Sequence, residues 1–125
     1  MRLNQVTVAA TDLDASIAFY KLLGLKLIVH SPHYARFELP EGDATFSLHI
    51  ADAPPPPENA PQLYFECDVD AEVARLKAAG VAFEREPVMQ SWLWYEAGLR
   101  DPAGNVLCLF NAGENRKNPP WRLKH

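Results

Sequence analysis

Apolar and polar residues alternate over several short stretches of the chain, whereas longer stretches carry apolar residues at helical spacing. Residues 5–9 alternate with a period of two, so Val6 and Val8 face one side of a predicted strand and the more polar residues face the other. In residues 13–23 the apolar positions recur every three or four residues, and a glycine follows directly. This pattern predicts an amphipathic helix after the first strand.

Three further strands are predicted after this helix. Apolar or alternating runs occur at residues 25–29, 34–39 and 45–50. Residues 40–43 contain a proline and a glycine, which favour a turn between the last two of these runs. The first part of the chain therefore reads as strand, helix and three strands.

The same order of elements recurs in the second part of the chain. The glycines that close the two predicted helices, Gly24 and Gly80, lie 56 residues apart. Asp12 or Asp14 is suited to cap the first helix, because a short carboxylate accepts hydrogen bonds from the free amides at a helix start. Asp70 is suited to cap the second helix. The predicted strands of the second part are residues 63–68, 81–85, 92–99 and 106–110. Each part gives one βαβββ module, and we expect an α+β fold.

A proline-rich segment separates two modules within a single predicted domain, residues 1–125. The first module spans about residues 3–51, the linker residues 53–61, the second module about residues 62–111 and a tail residues 112–125. Consecutive prolines favour an extended spacer, and a proline-rich ligand for another domain is the alternative. In the tail, we expect Trp121 to pack on the domain or on a second subunit.

The composition excludes several classes of partner. With a formal net charge of −4, the chain carries no basic stripe for nucleic acid or for an anionic membrane. No apolar run approaches the roughly 20 residues that span a bilayer, and the first residues lack the apolar stretch of a signal peptide. We therefore expect a cytoplasmic protein. Cys67 and Cys108 fall on opposite faces of their predicted strands, which argues against a disulfide.

Four strand positions are candidates for a binding site. Gln5 and Tyr64 lie 59 residues apart. His49 and Cys108 have the same spacing, so we expect all four at matching places in matching strands. Because each helix must cover one face of its sheet, the opposite faces remain to line a partly enclosed cleft. The candidate lining residues on those faces are Gln5, Thr7, Ser47, His49, Tyr64, Glu66, Cys108 and Phe110.

Each of the four positions also has a purely structural interpretation. His49 suits a hydrogen-bonded strand residue, and Cys108 suits a small apolar core residue. Tyr64 and Gln5 are equally compatible with packing or with hydrogen bonding to a neighbouring strand. A nucleophile and base formed by Cys108 and His49 is a further alternative.

A segment rich in aromatic side chains adds a surface suited to a planar ligand. Strand alternation places Trp92, Trp94 and Glu96 on one face and the intervening residues on the other. Trp92 and Trp94 are therefore also candidates for lining the cleft. The alternative is that they form cross-strand aromatic pairs that only stabilise the sheet.

Two motifs carry a resemblance to a known family. The first is Thr-Asp-Leu-Asp-Ala-Ser-Ile-Ala-Phe-Tyr at residues 11–20, followed by Leu-Gly-Leu at residues 23–25. The second is Asp-Pro-Ala-Gly-Asn at residues 101–105, ahead of an apolar strand. Together they resemble the vicinal oxygen chelate superfamily, which includes glyoxalases, bleomycin-resistance proteins, fosfomycin-resistance enzymes and extradiol dioxygenases. The resemblance extends from Leu3 to about Phe110, and it implies that the two modules form one curved, partly open sheet cleft.

The resemblance also implies where a metal would bind. Metal-dependent members carry His, Gln or Glu at inward strand positions. The matching positions in this sequence are Gln5, His49, Tyr64 and Cys108. Tyr64 and Cys108 depart from that pattern, since a neutral phenol is a poor ligand and a thiolate selects softer metals. Glu66 is the nearest replacement, and a metal site here would use Gln5, His49 and Glu66.

We expect a small-molecule-binding protein of the glyoxalase/bleomycin-resistance type that lacks the usual metal site and any other cofactor. One alternative is a lyase or dioxygenase that uses one divalent metal ion and acts on a substrate with vicinal oxygens. A second is a metal-free enzyme that uses Tyr64, His49 or Glu66 for acid–base catalysis. The resemblance implies a homodimer. Neither nucleic acid nor a membrane is an expected partner.

Overall fold

A computed structural model describes residues 1–125 and contains two four-stranded sheets, each with one α-helix. The elements of the first part are β1 (Gln5–Ala10), α1 (Leu13–Leu22), β2 (Lys26–Ser31), β3 (Tyr34–Glu38) and β4 (Thr45–Ile50). Those of the second part are β5 (Gln62–Glu66), α2 (Val69–Ala78), β6 (Arg85–Met89), β7 (Tyr95–Arg100) and β8 (Val106–Asn111). The predicted α+β fold with two βαβββ modules is confirmed. Neither helix is long and apolar enough to cross a membrane.

Both sheets have the same topology. The strand order is β1-β4-β3-β2 in the first sheet and β5-β8-β7-β6 in the second. The first and last strands of each module pair in parallel, whereas β3 pairs antiparallel with both β2 and β4. A parallel pair needs a long crossover connection, and in each module a helix and two strands supply it.

The chain divides into two compact units that differ slightly from the predicted modules. The first unit comprises residues 1–61 together with residues 100–105, and the second comprises residues 62–99 and 106–125. The turn that joins β7 to β8 therefore belongs to the first unit, although its flanking strands belong to the second.

Hydrogen bonds explain why this turn belongs to the first unit. The Tyr20 hydroxyl donates to Asp101 Oδ2 over 2.6 Å, and Asn105 Nδ2 donates to the carbonyl oxygen of Ala9 over 2.8 Å. Inside the turn, Asp101 Oδ1 accepts from the backbone amides of Ala103 and Asn105, both over 2.9 Å. The sequence predicted a hairpin turn at this motif but not its long-range anchors.

Aspartates cap both helices. Asp12 accepts a hydrogen bond from the Ala15 amide over 3.1 Å at the start of α1, as one of the two predicted caps. At the start of α2, Asp68 accepts from the Ala71 amide over 3.3 Å. The prediction that Asp70 caps α2 is wrong, because β5 ends earlier than predicted and the helix begins directly after Asp68.

Aromatic rings form much of the core of the first unit. Leu13, Ile17 and Tyr20 of α1 are buried. The Tyr20 ring centroid lies 4.5 Å from that of Phe46 and 6.0 Å from that of Phe37, both on the helix-facing side of the sheet. In the second unit, α2 buries its own apolar positions and contacts β6 and β8. The periodicity of each helix thus corresponds to its buried face.

The segment between β6 and β7 differs from the prediction. The predicted strand at residues 81–85 lies later, at Arg85–Met89, and the strand predicted from residue 92 begins only at Tyr95. The Leu93 amide donates to the Gln90 carbonyl over 3.0 Å, and Leu93 adopts a positive φ of 67°. These features form a tight turn in place of the start of the strand.

The linker and the tail also differ from the expectations. The linker contains a short 3-10 turn at Pro57–Asn59 within otherwise extended chain. In the tail a second 3-10 turn spans Gly113–Arg116, and Trp121 is 56% exposed in the single chain. Its packing on a second subunit stays a prediction. Both Cys67 and Cys108 are free thiols.

Candidate functional site

The open face of the first sheet carries all four residues predicted there. Strand register places Thr7 opposite Ser47 and Ser47 opposite Arg36. Two residues further along β4, His49 lies between Ala9 of β1 and Tyr34 of β3. Two residues in the other direction, Thr45 lies opposite Gln5. Because alternate strand residues share a face, Gln5, Thr7, Ser47 and His49 lie on one surface.

The register shows that the equal spacings do not mark equivalent positions. Tyr64 lies opposite Cys108 in the second sheet, but Gln5 lies opposite Thr45 and not opposite His49. Gln5 and His49 are four register positions apart, about 13 Å along the strands. The prediction of four matching places is therefore wrong, since the segments that connect the strands differ in length between the two modules.

A hydrogen-bond network lies on the open face of the first sheet. The Tyr34 hydroxyl is 2.6 Å from Ser47 Oγ, and Arg36 Nε donates to the Tyr34 oxygen over 2.9 Å. The Thr45 hydroxyl donates to Gln5 Oε1 over 2.8 Å, while the Gln5 side chain also hydrogen-bonds the Tyr34 oxygen. Because a hydrogen bond that lowers the pKa of a phenol is donated to its oxygen, the Gln5 amide nitrogen is the group that donates to Tyr34.

This network changes the acidity of Tyr34. Burial raises the pKa of its hydroxyl, but hydrogen bonds from Ser47, Arg36 and Gln5 and the charge of Arg36 outweigh burial, so that the pKa lies below its ordinary value. Tyr34 and Arg36 were missed by the sequence reasoning. The alternation of β3, in which Ala35 and Phe37 are buried, was the signal that could have identified them.

Three aromatic rings gather on the open face of the second sheet. The Trp94 and Phe110 rings stack with centroids 4.7 Å apart. The Tyr64 ring meets both edge-on, at 5.6 Å from Trp94 and 5.7 Å from Phe110. Tyr64 remains 47% exposed, whereas Phe110 is buried. The structure thus brings together three predicted site residues in a partly exposed aromatic cluster, named here the aromatic face.

A buried carboxylate lies beside the aromatic face. Glu96 is 3% exposed; its Oε2 accepts a hydrogen bond from Trp92 Nε1 over 2.7 Å, and its Oε1 is 3.5 Å from Arg85 Nη1. Trp92 and Glu96 thus lie on the same side of this segment, as predicted, even though Trp92 lies in a turn. A Cβ on Gly98 would come within 2.6 Å of Arg85 Nε, so a larger residue there would require the Arg85 side chain to shift.

The predicted metal-binding positions of the second sheet hold protonated groups. Burial raises the pKa of the Cys108 thiol to about 12, with the Glu96 carboxylate adding to the effect. Burial also raises the pKa of Tyr64, with the charges of Cys108 and Glu96 contributing. A thiol or phenol binds a metal as its anion, and both anions are disfavoured here.

The remaining donors do not complete a metal site. Glu66, at the end of β5, lies opposite Phe110 and is exposed. Gln5 uses its carbonyl oxygen to accept from Thr45 and lies far along the strands from His49. No three side chains among the histidines, cysteines, aspartates and glutamates are placed to hold one ion. Tyr64 and Cys108 thus replace the usual ligands at two of the four positions that the resemblance assigns to a metal.

A groove of the second unit lies away from all the predicted residues. It has a volume of about 800 Å³ and surrounds the start of α2, where Leu93, Tyr95 and Glu114 line it. Three of its polar side chains have partners in the chain, since Asp68 caps α2 and the Tyr95 hydroxyl donates to Asp70 Oδ1 over 2.6 Å. We assign no function to this groove.

The same arrangement of elements occurs in known proteins. A profile of the Glyoxalase/Bleomycin resistance protein/Dioxygenase superfamily matches residues 2–109. A glyoxalase/bleomycin resistance protein/dioxygenase from Nocardioides has 23% identity and a TM-score of 0.79, covering 99% of this chain and 90% of its own. No curated protein matches the sequence.

Two further solved structures have more specific names. A lactoylglutathione lyase from Agrobacterium tumefaciens has 23% identity and a TM-score of 0.72, covering 87% of this chain and 92% of its own. A bleomycin-binding protein in complex with bleomycin has 19% identity and a TM-score of 0.74, covering 90% of this chain and 99% of its own. At these identities the likeness establishes the fold alone.

Proposed function

Because the chain belongs to the Glyoxalase/Bleomycin resistance protein/Dioxygenase superfamily, we propose that it binds a small molecule bearing a planar ring. The binding surface is the aromatic face of the second sheet. The bleomycin-binding neighbour supports the class of function, since it shares this fold and its ligand is a small molecule. The named residues of this chain supply the argument for the ring.

The aromatic face carries the proposal. Tyr64, Trp94 and Phe110 are in mutual ring contact, and the exposed side of Tyr64 is free to contact a ligand. An aromatic ring contributes a large apolar area and favours edge or offset contacts with another ring. An exposed aromatic cluster with a buried carboxylate beside it combines the apolar lining and the few polar groups that small-molecule sites have.

Binding without a metal is the form of the proposal that the side chains support best. The metal-dependent alternative would use Gln5, His49 and Glu66, and Gln5 and His49 lie four register positions apart along their strands. Metal-free acid–base catalysis is the other alternative. For that reaction Tyr64 is a poor general base at neutral pH, because its raised pKa keeps the phenol protonated. The homodimer and the cytoplasmic location stay predictions from the sequence and its resemblance.

Calorimetric titration tests this proposal. The probes are bleomycin and naphthol, the second being a minimal planar ring. We expect Tyr64→Ala to weaken probe binding by roughly three- to tenfold, since an aromatic contact contributes about 0.5–1.5 kcal/mol beyond its buried area. Trp121→Ala removes an aromatic side chain of similar exposure from the tail and serves as the matched control.

Two outcomes would contradict the proposal. The first is that neither probe binds the unmodified protein. The second is that Tyr64→Ala and Trp121→Ala change the affinity equally, which would indicate non-specific apolar contact rather than recognition at the aromatic face.

A further inference from the structure

The first sheet holds a cation that no carboxylate neutralises. Arg36 is half-buried in the centre of β3. The ion pairs of the chain lie elsewhere, and none includes Arg36. Its Nε donates to the Tyr34 oxygen, while its terminal nitrogens make no hydrogen bond within the chain. A guanidinium has a planar fork of donors that matches carboxylate and phosphate oxygens.

Neighbouring side chains hold this guanidinium in place. The bond from Nε to the Tyr34 oxygen is 2.9 Å long, and the guanidinium carbon lies 5.4 Å from the Tyr34 ring centroid. Ser47, fully buried, bonds the same hydroxyl, and Gln5 contacts it from β1. The Tyr34 oxygen accepts from Arg36, and either hydroxyl of the Tyr34–Ser47 pair can act as the donor. The free side of Arg36 is therefore preorganised.

The other charged groups on this face do not compensate Arg36. On β3 itself, Glu38 lies on the same face as Arg36, and its register partner Lys26 of β2 adds a second cation to that face, so the formal charges of these three residues sum to +1. From β4, His49 lies opposite Tyr34. The strand β1 contributes only uncharged side chains to this face. The surroundings thus leave a net positive site at the centre of the sheet.

We propose that Arg36, supported by Tyr34 and Ser47, binds an oxyanion group of a small ligand, either a carboxylate or a phosphate, on the open face of the first sheet. The inference uses no residue of the aromatic face. It goes beyond the proposed function by assigning a second chemical group that the protein recognises, and it can fail or hold independently of ring binding.

Tyrosine ionisation provides a direct measure of this site. Of the four tyrosines, only Tyr34 has a lowered pKa, whereas those of Tyr20, Tyr64 and Tyr95 are raised. The first tyrosinate absorbance to appear with rising pH therefore belongs to Tyr34, and Tyr34→Phe should remove it. A bound anion opposes formation of the phenolate and occupies Arg36, so it should move this ionisation to higher pH.

The probes are acetate and inorganic phosphate, with chloride at equal ionic strength as the reference. We expect at least one oxyanion, but not chloride, to raise the pH of the first ionisation in a saturable way. Arg36→Gln should weaken this saturation by about tenfold or more, since charge-assisted hydrogen bonds are lost. Arg36→Lys keeps the positive charge but lacks the planar pair of guanidinium donors, so its affinity for the oxyanion should be intermediate. Arg122→Gln, in the exposed tail, should leave it unchanged.

The two oxyanions distinguish the sources of the group. A response to acetate alone assigns a carboxylate, and a response to phosphate alone assigns a phosphate. The proposal is overturned if neither oxyanion moves the ionisation of the unmodified protein beyond the effect of chloride. It is also overturned if Arg36→Gln or Arg36→Lys, each folded by circular dichroism, responds as strongly as the unmodified protein. Neither probe contains a ring, so the result does not depend on the aromatic face.

Discussion

A glycine and an arginine on neighbouring strands of the second sheet depend on each other. The guanidinium of Arg85 lies across Gly98, where any Cβ would collide with it. This position allows Arg85 to approach Glu96, a buried carboxylate that also accepts a hydrogen bond from Trp92 Nε1. The ion pair between Arg85 and Glu96 thus lies across a glycine of the neighbouring strand.

We expect Gly98→Ala to lower the free energy of unfolding by about 1 kcal/mol or less, because the flexible, half-exposed end of Arg85 can move away and only its ion pair with Glu96 is weakened. The Arg85 side chain would be displaced, leaving Glu96 less well compensated. Urea denaturation measures the change. The control is a double-mutant cycle with Arg85→Ala, in which the cost of Gly98→Ala should largely disappear. Strictly additive effects would show that the two residues do not interact.

The two thiols should be slow nucleophiles at neutral pH. Burial raises the pKa of Cys67 to about 11 and that of Cys108 to about 12. We expect alkylation by iodoacetamide to accelerate as the pH rises towards these values, with half-buried Cys67 reacting before buried Cys108. The variants Cys67→Ala and Cys108→Ala separate the two rates. Rapid modification of Cys108 at neutral pH would contradict its protonated state.

At the scale of elements, the caps decide where the helices begin. Asp68 satisfies an amide at the start of α2, whereas Asp70 lies within its first turn and accepts from the Tyr95 hydroxyl. We expect Asp68→Ala to lower the free energy of unfolding by about 1 kcal/mol, as loss of an N-cap does. Asp70→Ala should cost less, because it removes an exposed hydrogen bond. Thermal unfolding of both variants shows which of them loses more stability. A larger loss for Asp70→Ala than for Asp68→Ala would contradict the assignment of Asp68 as the cap.

Element order was predictable from the sequence, but exact starts and register were not. The helical periodicity and the closing glycines indicated α1 and α2, because these signals are local. The turn at Leu93 was missed because its positive φ is borne by a residue that gives no sign of it. The offset between Gln5 and His49 was missed because register depends on connections whose lengths the spacing does not reveal.

The candidate site was predictable to a similar extent. Alternation correctly placed Tyr64 and Phe110 on one surface with Trp94. The same argument applied to β3 would have identified Arg36. Neither the Glu96 ion pair nor the role of Gly98 follows from local pattern, since each depends on a neighbouring strand.

At the scale of the whole molecule, a buried hydrogen bond joins distant parts of the sequence. The Tyr20 hydroxyl donates to Asp101, and burial followed by the Asp101 charge raises the pKa of Tyr20 far above its ordinary value. We expect Tyr20→Phe to lower the free energy of unfolding at neutral pH by about 1.5–3 kcal/mol, the range for a hydrogen bond to a charged group. Urea denaturation measures it.

The pH dependence of stability provides the control for this prediction. In the unfolded chain Tyr20 ionises near the ordinary value of 10.0, while the folded protein keeps the proton. The contribution of Tyr20 is therefore fully present below that pH and is lost progressively above it, because the unfolded state then binds fewer protons. Tyr20→Phe should remove this part of the alkaline loss. An unchanged alkaline slope would contradict the buried, neutral phenol.

The membership of residues 100–105 in the first unit has a consequence for synthesis on the ribosome. Tyr20 and Ala9 are made early, but their partners Asp101 and Asn105 emerge only after most of the chain has been translated. The first unit therefore cannot be completed while it is the only part outside the exit tunnel, and a nascent chain ending at Pro61 holds an unfinished fold. The first unit can therefore be completed only after the turn at residues 100–105, just before β8, has been synthesised.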